Sequence, residues 1–171
     1  MIKHGKGGAN TNKNGLRFEQ KTDLENIINK QQDYKVVDGK VYYKDSFVAE
    51  VFKKHKLYDF LGRYGVDWKE RISRKLLPDN CLFVPRKRTI FIFESKYQET
   101  DGSTDEKLQT CDFKLRQYKK LFKGTHIKVK FLYVLSDYYK KDIYKDVLEY
   151  IQFRKCEYYY EYVNLDDLYL P

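Results

Sequence analysis

Pro78-Asp79, fourteen further residues, and then Glu94-Ser95-Lys96 at the end of an apolar run are the residues whose types and spacing could do chemistry. Two carboxylates offer hard oxygen donors, and Mg²⁺ needs one or two of them beside several retained waters. The carbonyl of Ser95 could add a ligand. Lys96 cannot bind a cation. It can orient or deprotonate an attacking water, or neutralise the charge that builds on a phosphate. Nearby carboxylates also hold it charged, which weakens it as a base. This set suits hydrolysis of a phosphodiester with Mg²⁺, or with Mn²⁺ as a substitute.

The elements around these residues should bring them together. Residues 81–84 read as a short strand, 85–88 as a turn and 89–97 as a longer strand. Period two puts Glu94 and Lys96 on one face. A four-residue turn pairs Val84 with Thr89, and counting back along both strands sets Asp79 opposite Glu94. Ile90, Phe91, Ile92 and Phe93 are apolar on both faces, so this strand is expected to be central and covered on both sides. Charges at its end are costly unless paired or metal-bound. A cross-strand salt bridge on a solvated sheet is the plainer alternative.

The remaining segments read as a sheet with helices. Residues 5–14, rich in Gly, Asn and Lys, suggest a flexible arm or a backbone-exposing loop, and 1–14 as a whole reads as a basic arm. A helix is expected from about 16 to 30, with Leu16, Leu24, Ile27 and Ile28 on its buried stripe and Glu19 at the stripe's edge. Asp38-Gly39 predicts a tight hairpin between 34–37 and 40–43. Residues 46–61 read as a helix carrying Val48, Val51, Phe52 and His55 on one face, stopped by Gly62. Residues 62–77 are basic and irregular. Ser103-Thr104-Asp105-Glu106 forms a capping box for a helix with Leu108, Cys111, Leu115, Tyr118 and Phe122 as its stripe. A strand at 127–135, a helix at 140–154 with Ile143, Val147, Leu148 and Ile151, and a strand at 158–163 follow. The order predicts one α/β domain over 1–171, a mixed sheet flanked by helices, with a right-handed parallel crossover from 89–97 to 127–135.

Charge points to an anionic partner. The chain of 171 residues has a formal net charge of +9, gathered in three clusters. Residues 1–18 hold Lys3, Lys6, Lys13 and Arg17 without an acid. Lys69, Arg71, Arg74 and Lys75 face only Glu70, and Arg86-Lys87-Arg88 form the third cluster. Such concentration is the footprint of phosphate binding rather than of a merely solvated surface. Lys107 can meet phosphate or solvent equally. Asp166-Asp167 read as a solvated acidic end, Asp105 and Glu106 as helix-capping acids, and His4, His55 and His126 as non-catalytic. Cys81, Cys111 and Cys156 lack zinc-like or disulfide-like spacing and read as reduced, buried thiols. No secretory leader and no membrane-length apolar run is evident, so a cytoplasmic protein without a membrane partner is expected.

At these residues the sequence resembles the PD-(D/E)xK nuclease superfamily. Pro78-Asp79 and Glu94-Ser95-Lys96 match its signature, and the order of elements is similar over most of the chain. Gly7-Gly8-Ala9-Asn10, Gly15-Leu16-Arg17-Phe18-Glu19 and Gly102-Ser103-Thr104-Asp105-Glu106-Lys107-Leu108-Gln109 look like compact type II restriction-endonuclease-like members. The resemblance implies a restriction-endonuclease-like core and a Mg²⁺-dependent endonuclease acting on double-stranded DNA, expected as a homodimer. It also implies an extra acid on the first helix, here Glu19, and a polar residue on the helix after the ExK strand. Gln109 is the candidate for that place and Gln117 the reserve. Lys6, Lys13, Arg17, Arg71, Arg74, Lys75 and Lys107 would contact DNA. Restriction enzymes usually devote extra loops or domains to base recognition, for which this chain has little spare length. A junction resolvase, a repair or mobile-element nuclease, and a non-catalytic DNA-binding relative are the alternatives.

Overall fold

The computed structural model describes residues 7–99 and 104–171, with side chains for 13–99 and 106–171. Among these residues seven strands lie side by side in chain order: β1 (Tyr34–Val37), β2 (Lys40–Tyr43), β3 (Ser46–Phe52), β4 (Asn80–Val84), β5 (Thr89–Lys96), β6 (Lys128–Leu135) and β7 (Glu157–Tyr160). β1 to β5 run antiparallel, and β6 and β7 join in parallel. Helices α1 (Gly7–Lys21), α2 (Leu24–Asn29), α3 (Lys56–Gly62), α4 (Thr104–Leu108), α5 (Cys111–Leu121) and α6 (Lys145–Phe153) flank this mixed sheet. The protein is therefore α/β.

β5 is central, between β4 and β6, and is buried from Thr89 to Glu94. Its alternation feeds two cores. Ile90 and Ile92 pack with Leu57 of α3 and Leu115 and Tyr118 of α5. Phe91 and Phe93 pack with Phe18, Leu24 and Ile28 on the other side. Each such burial stabilises by about 1.5–3 kcal/mol, which fixes the strand's register against one-residue slips.

Both hairpins form at the predicted turns. Asp38 and Gly39 take φ of 47° and 76°, as a type I′ turn requires. A Cβ on Gly39 would stand 2.7 Å from the Val51 carbonyl oxygen, so glycine is needed for space as well. Val84 pairs with Thr89, the register counted from sequence.

Other expectations need correction. Residues 46–52 are strand, not helix. Phe47, Val48, Val51 and Phe52 suit a pleated surface, and pairing with both β2 and β4 outweighs their helical spacing. Only Lys56–Gly62 is helical, and His55 is its exposed N-cap. The single helix expected over 16–30 is broken at Thr22-Asp23. Thr22 Oγ1 donates back to the Phe18 carbonyl at 2.9 Å, and Asp23 Oδ1 accepts from Asn26 N at 3.1 Å, capping α2. The break leaves Leu16 56% exposed, while Phe18, Leu24 and Ile28 are buried. Residues 7–14, expected as arm or loop, begin α1, and 1–6 lie outside the described residues.

The predicted helix after β5 arrives as two pieces, α4 and α5, yet Leu108, Cys111, Leu115, Tyr118 and Phe122 are all buried. Ser103 of the capping box and the side chain of Asp105 lie outside the described residues. Residues 142–144 form a 3-10 turn rather than α-helix, so Ile143 is exposed. The acidic end is not merely solvated. Asp166 and Asp167 are exposed, but Val163, Leu165, Leu168 and Leu170 complete the core under Phe91 and Phe93. All three cysteines are free and buried. Among the described residues, no helix is long and apolar enough to cross a membrane.

Candidate active site

The end of β5 runs out from under the core beside the N-terminal edge of β4. Asp79 N donates to the Phe93 carbonyl at 3.1 Å, one step beyond the last ladder pair, Asn80 with Phe93. This holds Asp79 across from Glu94, as the hairpin count requires. Asp79 Oδ2 accepts from Ser95 N at 2.9 Å, so the carboxylate is clamped on the neighbouring strand. The N–H and C=O of one strand residue share an edge, so the Ser95 carbonyl also points toward the Asp79 side. Ser95 Oγ turns the other way and shares a 2.7 Å hydrogen bond with Thr22 Oγ1 at the end of α1.

Three lysines close on the carboxylates. Lys96 Nζ lies 3.1 Å from Glu94 Oε2, and Lys114 Nζ of α5 bonds the same oxygen. Lys54 Nζ bonds Asp79 Oδ1 and stands 3.1 Å from Glu19 Oε1. Burial disfavours the charged Lys54 ammonium, but its bonds to Asp79 and Glu19 prevail and hold its pKa above the ordinary 10.5. Three acids and three ammonium groups thus nearly cancel, although Lys54 and Glu19 remain about two-fifths exposed. Asp79, Glu94, Lys96, Lys114 and Gln117 line one open cleft of about 650 Å³, together with the segment Ser73 to Leu77 and with Phe113.

The sequence missed Lys54 and Lys114. Had 46–52 been read as a strand, its pairing of Phe52 with Cys81 would have run on to set Lys54 beside Asp79. Lys114 lies between Cys111 and Leu115 of the buried stripe and Gln117 of the cleft wall, on the helix flank that turns to the sheet's end. Gln109 does not come to the site. It sits in the turn between α4 and α5 and faces a separate pocket with Ile143, Asp146, Val147 and Tyr150, whereas Gln117 takes the cleft position.

The chain matches no family model, no curated protein and no solved structure.

Could these residues hold a divalent cation? Glu94 Oε1 accepts no hydrogen bond among the described residues, because both lysines approach Oε2. In the core beneath α5, the buried Tyr118 hydroxyl has no hydrogen-bond partner among the described residues, and Tyr118 is not among the residues that line the cleft. Burial, aided by the charge of Glu94, raises its pKa and keeps it neutral. Among the described residues no group of three or more His, Cys, Asp or Glu gathers round one point. Mg²⁺ does not demand one, since it retains several waters. Two hard carboxylates on neighbouring strands, with one carboxylate oxygen left free, fit such an ion.

The expected DNA-contacting residues divide. Arg74 and Lys75 line the cleft. Lys13, Arg17 and Lys107 are exposed, and Lys6 lies outside the described residues. Arg71 instead caps the end of α5, donating to the carbonyls of Leu121 at 2.7 Å and Lys123 at 2.6 Å.

Proposed function

We propose that the protein is a Mg²⁺-dependent endonuclease with a restriction-endonuclease-like core, hydrolysing phosphodiester bonds of double-stranded DNA. The observation that carries this reading is the meeting of Asp79, Glu94 and Lys96 in one open, lysine-rich cleft.

Asp79 and Glu94 would hold the cation, with the Ser95 carbonyl as a further donor. When bound, the ion would neutralise charge on the phosphate and make water a better nucleophile. Lys96, bonded to Glu94, would orient the attacking water. Lys114 is released from Glu94 as the anionic substrate enters, and it then meets the charge building on the phosphoryl oxygens. Lys54, bridging Glu19 and Asp79, positions the Asp79 carboxylate. Gln117 on the wall offers a neutral donor to the same phosphate. Arg74 and Lys75 extend the cationic path along the backbone, where contacts position the DNA without reading its sequence. One cleft cuts one strand, so a two-fold dimer is the simplest means of cutting both.

Plasmid DNA incubated with the protein and Mg²⁺ should be nicked and linearised, and EDTA should stop the reaction. Asp79→Ala should lose cleavage while keeping its circular-dichroism spectrum and a cooperative melting transition, lowered somewhat by the lost bond to the Ser95 N–H. Full activity in folded Asp79→Ala would rule out the assignment.

A further inference from the structure

We infer that the DNA taken by this cleft carries an unpaired nucleotide beside the scissile phosphate, as at a flap or a branch point. This rests on the nuclease reading above and narrows its substrate. The cleft combines two chemistries. Its floor is ionic, and its exposed rim adds two large apolar side chains to Ser73 and Arg74. Phe113 stands one residue before Lys114 on α5 and is 60% exposed. Leu77, just before Pro78-Asp79, is 45% exposed. Neither belongs to either core, and among the described residues Phe113 packs against no other ring. Isolated exposed apolar side chains are ordinary, but these two share one cleft with the proposed reacting groups.

A matched duplex offers that cleft phosphates and sugars, with its base faces stacked away. Phe113 and Leu77 gain little from such a surface. An unpaired base offers a flat apolar face, and stacking on an aromatic side chain is the usual way a protein holds one. The charges beside the mouth agree. Lys75 sits over two rings, 4.6 Å from the centroid of Tyr58 and 5.0 Å from that of Trp68. Among the described residues neither Lys75 nor Arg74 is paired with an acid. Both are thus free to meet the phosphates that flank a splayed base.

The test uses the full chain with Mg²⁺ and labelled DNAs of one sequence: matched duplex, single strand, flap and four-way junction. Flapped or branched DNA should be cut at least about tenfold faster than matched duplex. Phe113→Ala should lose about tenfold on the flap and almost nothing on the duplex, and Phe113→Trp should restore flap cleavage. Melting curves confirm that both variants fold. Equal cleavage of flap and duplex, unchanged by Phe113→Ala, overturns this inference and leaves the nuclease reading standing. No cleavage of any DNA with Mg²⁺ or Mn²⁺ overturns both.

Discussion

The two ends of the β4–β5 hairpin carry similar numbers of cations and use them differently. At the tip, Arg86 donates to the Tyr169 carbonyl at 3.1 Å, and Arg88 donates to the carbonyls of His126 at 3.1 Å and Thr125 at 3.2 Å. Lys87 lies over the Tyr169 ring, 5.7 Å from its centroid. These cations bind neutral partners and tie the C-terminal segment and the start of β6 to the turn. At the open end, Lys54, Lys96 and Lys114 meet carboxylates in a cleft. A cation on a carbonyl completes the fold. A cation on a carboxylate can change partner when another anion arrives. A cluster of Arg and Lys in sequence therefore identifies neither role until its acceptors are known.

Substitutions at the two ends should separate activity from stability. The largest expected effect is at the open end. Glu94→Gln or Lys96→Met should lower DNA cleavage by on the order of 10²–10³-fold, as does loss of an electrostatic group that acts on the transition state. Both should remain folded by circular dichroism, and single-turnover rates with Mg²⁺ would measure the loss. Lys114→Met should cost less, about tenfold, because the other cleft cations still face the phosphate. Arg88→Ala at the tip should do the reverse. It removes two hydrogen bonds to carbonyls and should lower stability by about 1–2 kcal/mol in urea titration, with cleavage unchanged. An Arg88→Ala variant that is stable but does not cleave DNA would erase the distinction between the ends.

The smallest effect is a pH dependence at Lys54. Its pKa in the folded chain lies above 10.5, so its contribution to stability is whole below that value and is lost as pH rises through the raised pKa. The pair is partly exposed, so the contribution is small. The gap in urea midpoint between the wild type and Lys54→Met should hold steady from about pH 7 to about pH 9 and close above 10.5. A gap that closes already between about pH 7 and about pH 9 would assign the ionic role to another group.

The sequence was most legible where contacts are local. The Asp38-Gly39 turn and the 84–89 pairing fix their registers within a few residues, so Asp79, Glu94 and Lys96 could be placed by counting. The mixed α/β sheet followed from the order of elements. What stayed hidden depends on distant partners. Residues 46–52 satisfy a helical period and a strand period equally, and only β2 and β4 on either side decide between them. That misreading concealed Lys54. Gln109 falls in the turn at 109–110 between α4 and α5 and faces another pocket, whereas Lys114 and Gln117 of α5 line the cleft. The end of the chain looked acidic because its four buried aliphatic residues are separated by polar ones.

The most direct test of the open end as a catalytic centre is single-turnover cleavage of an end-labelled duplex bearing a flap, with Mg²⁺, by the wild type and by Glu94→Gln side by side. The proposed nuclease function predicts discrete cleavage by the wild type, stopped by EDTA, and at least a hundredfold slower cleavage by a folded Glu94→Gln, the lower end of the expected loss. Equal rates for the two folded proteins, or no cleavage by the wild type with either Mg²⁺ or Mn²⁺, would contradict it.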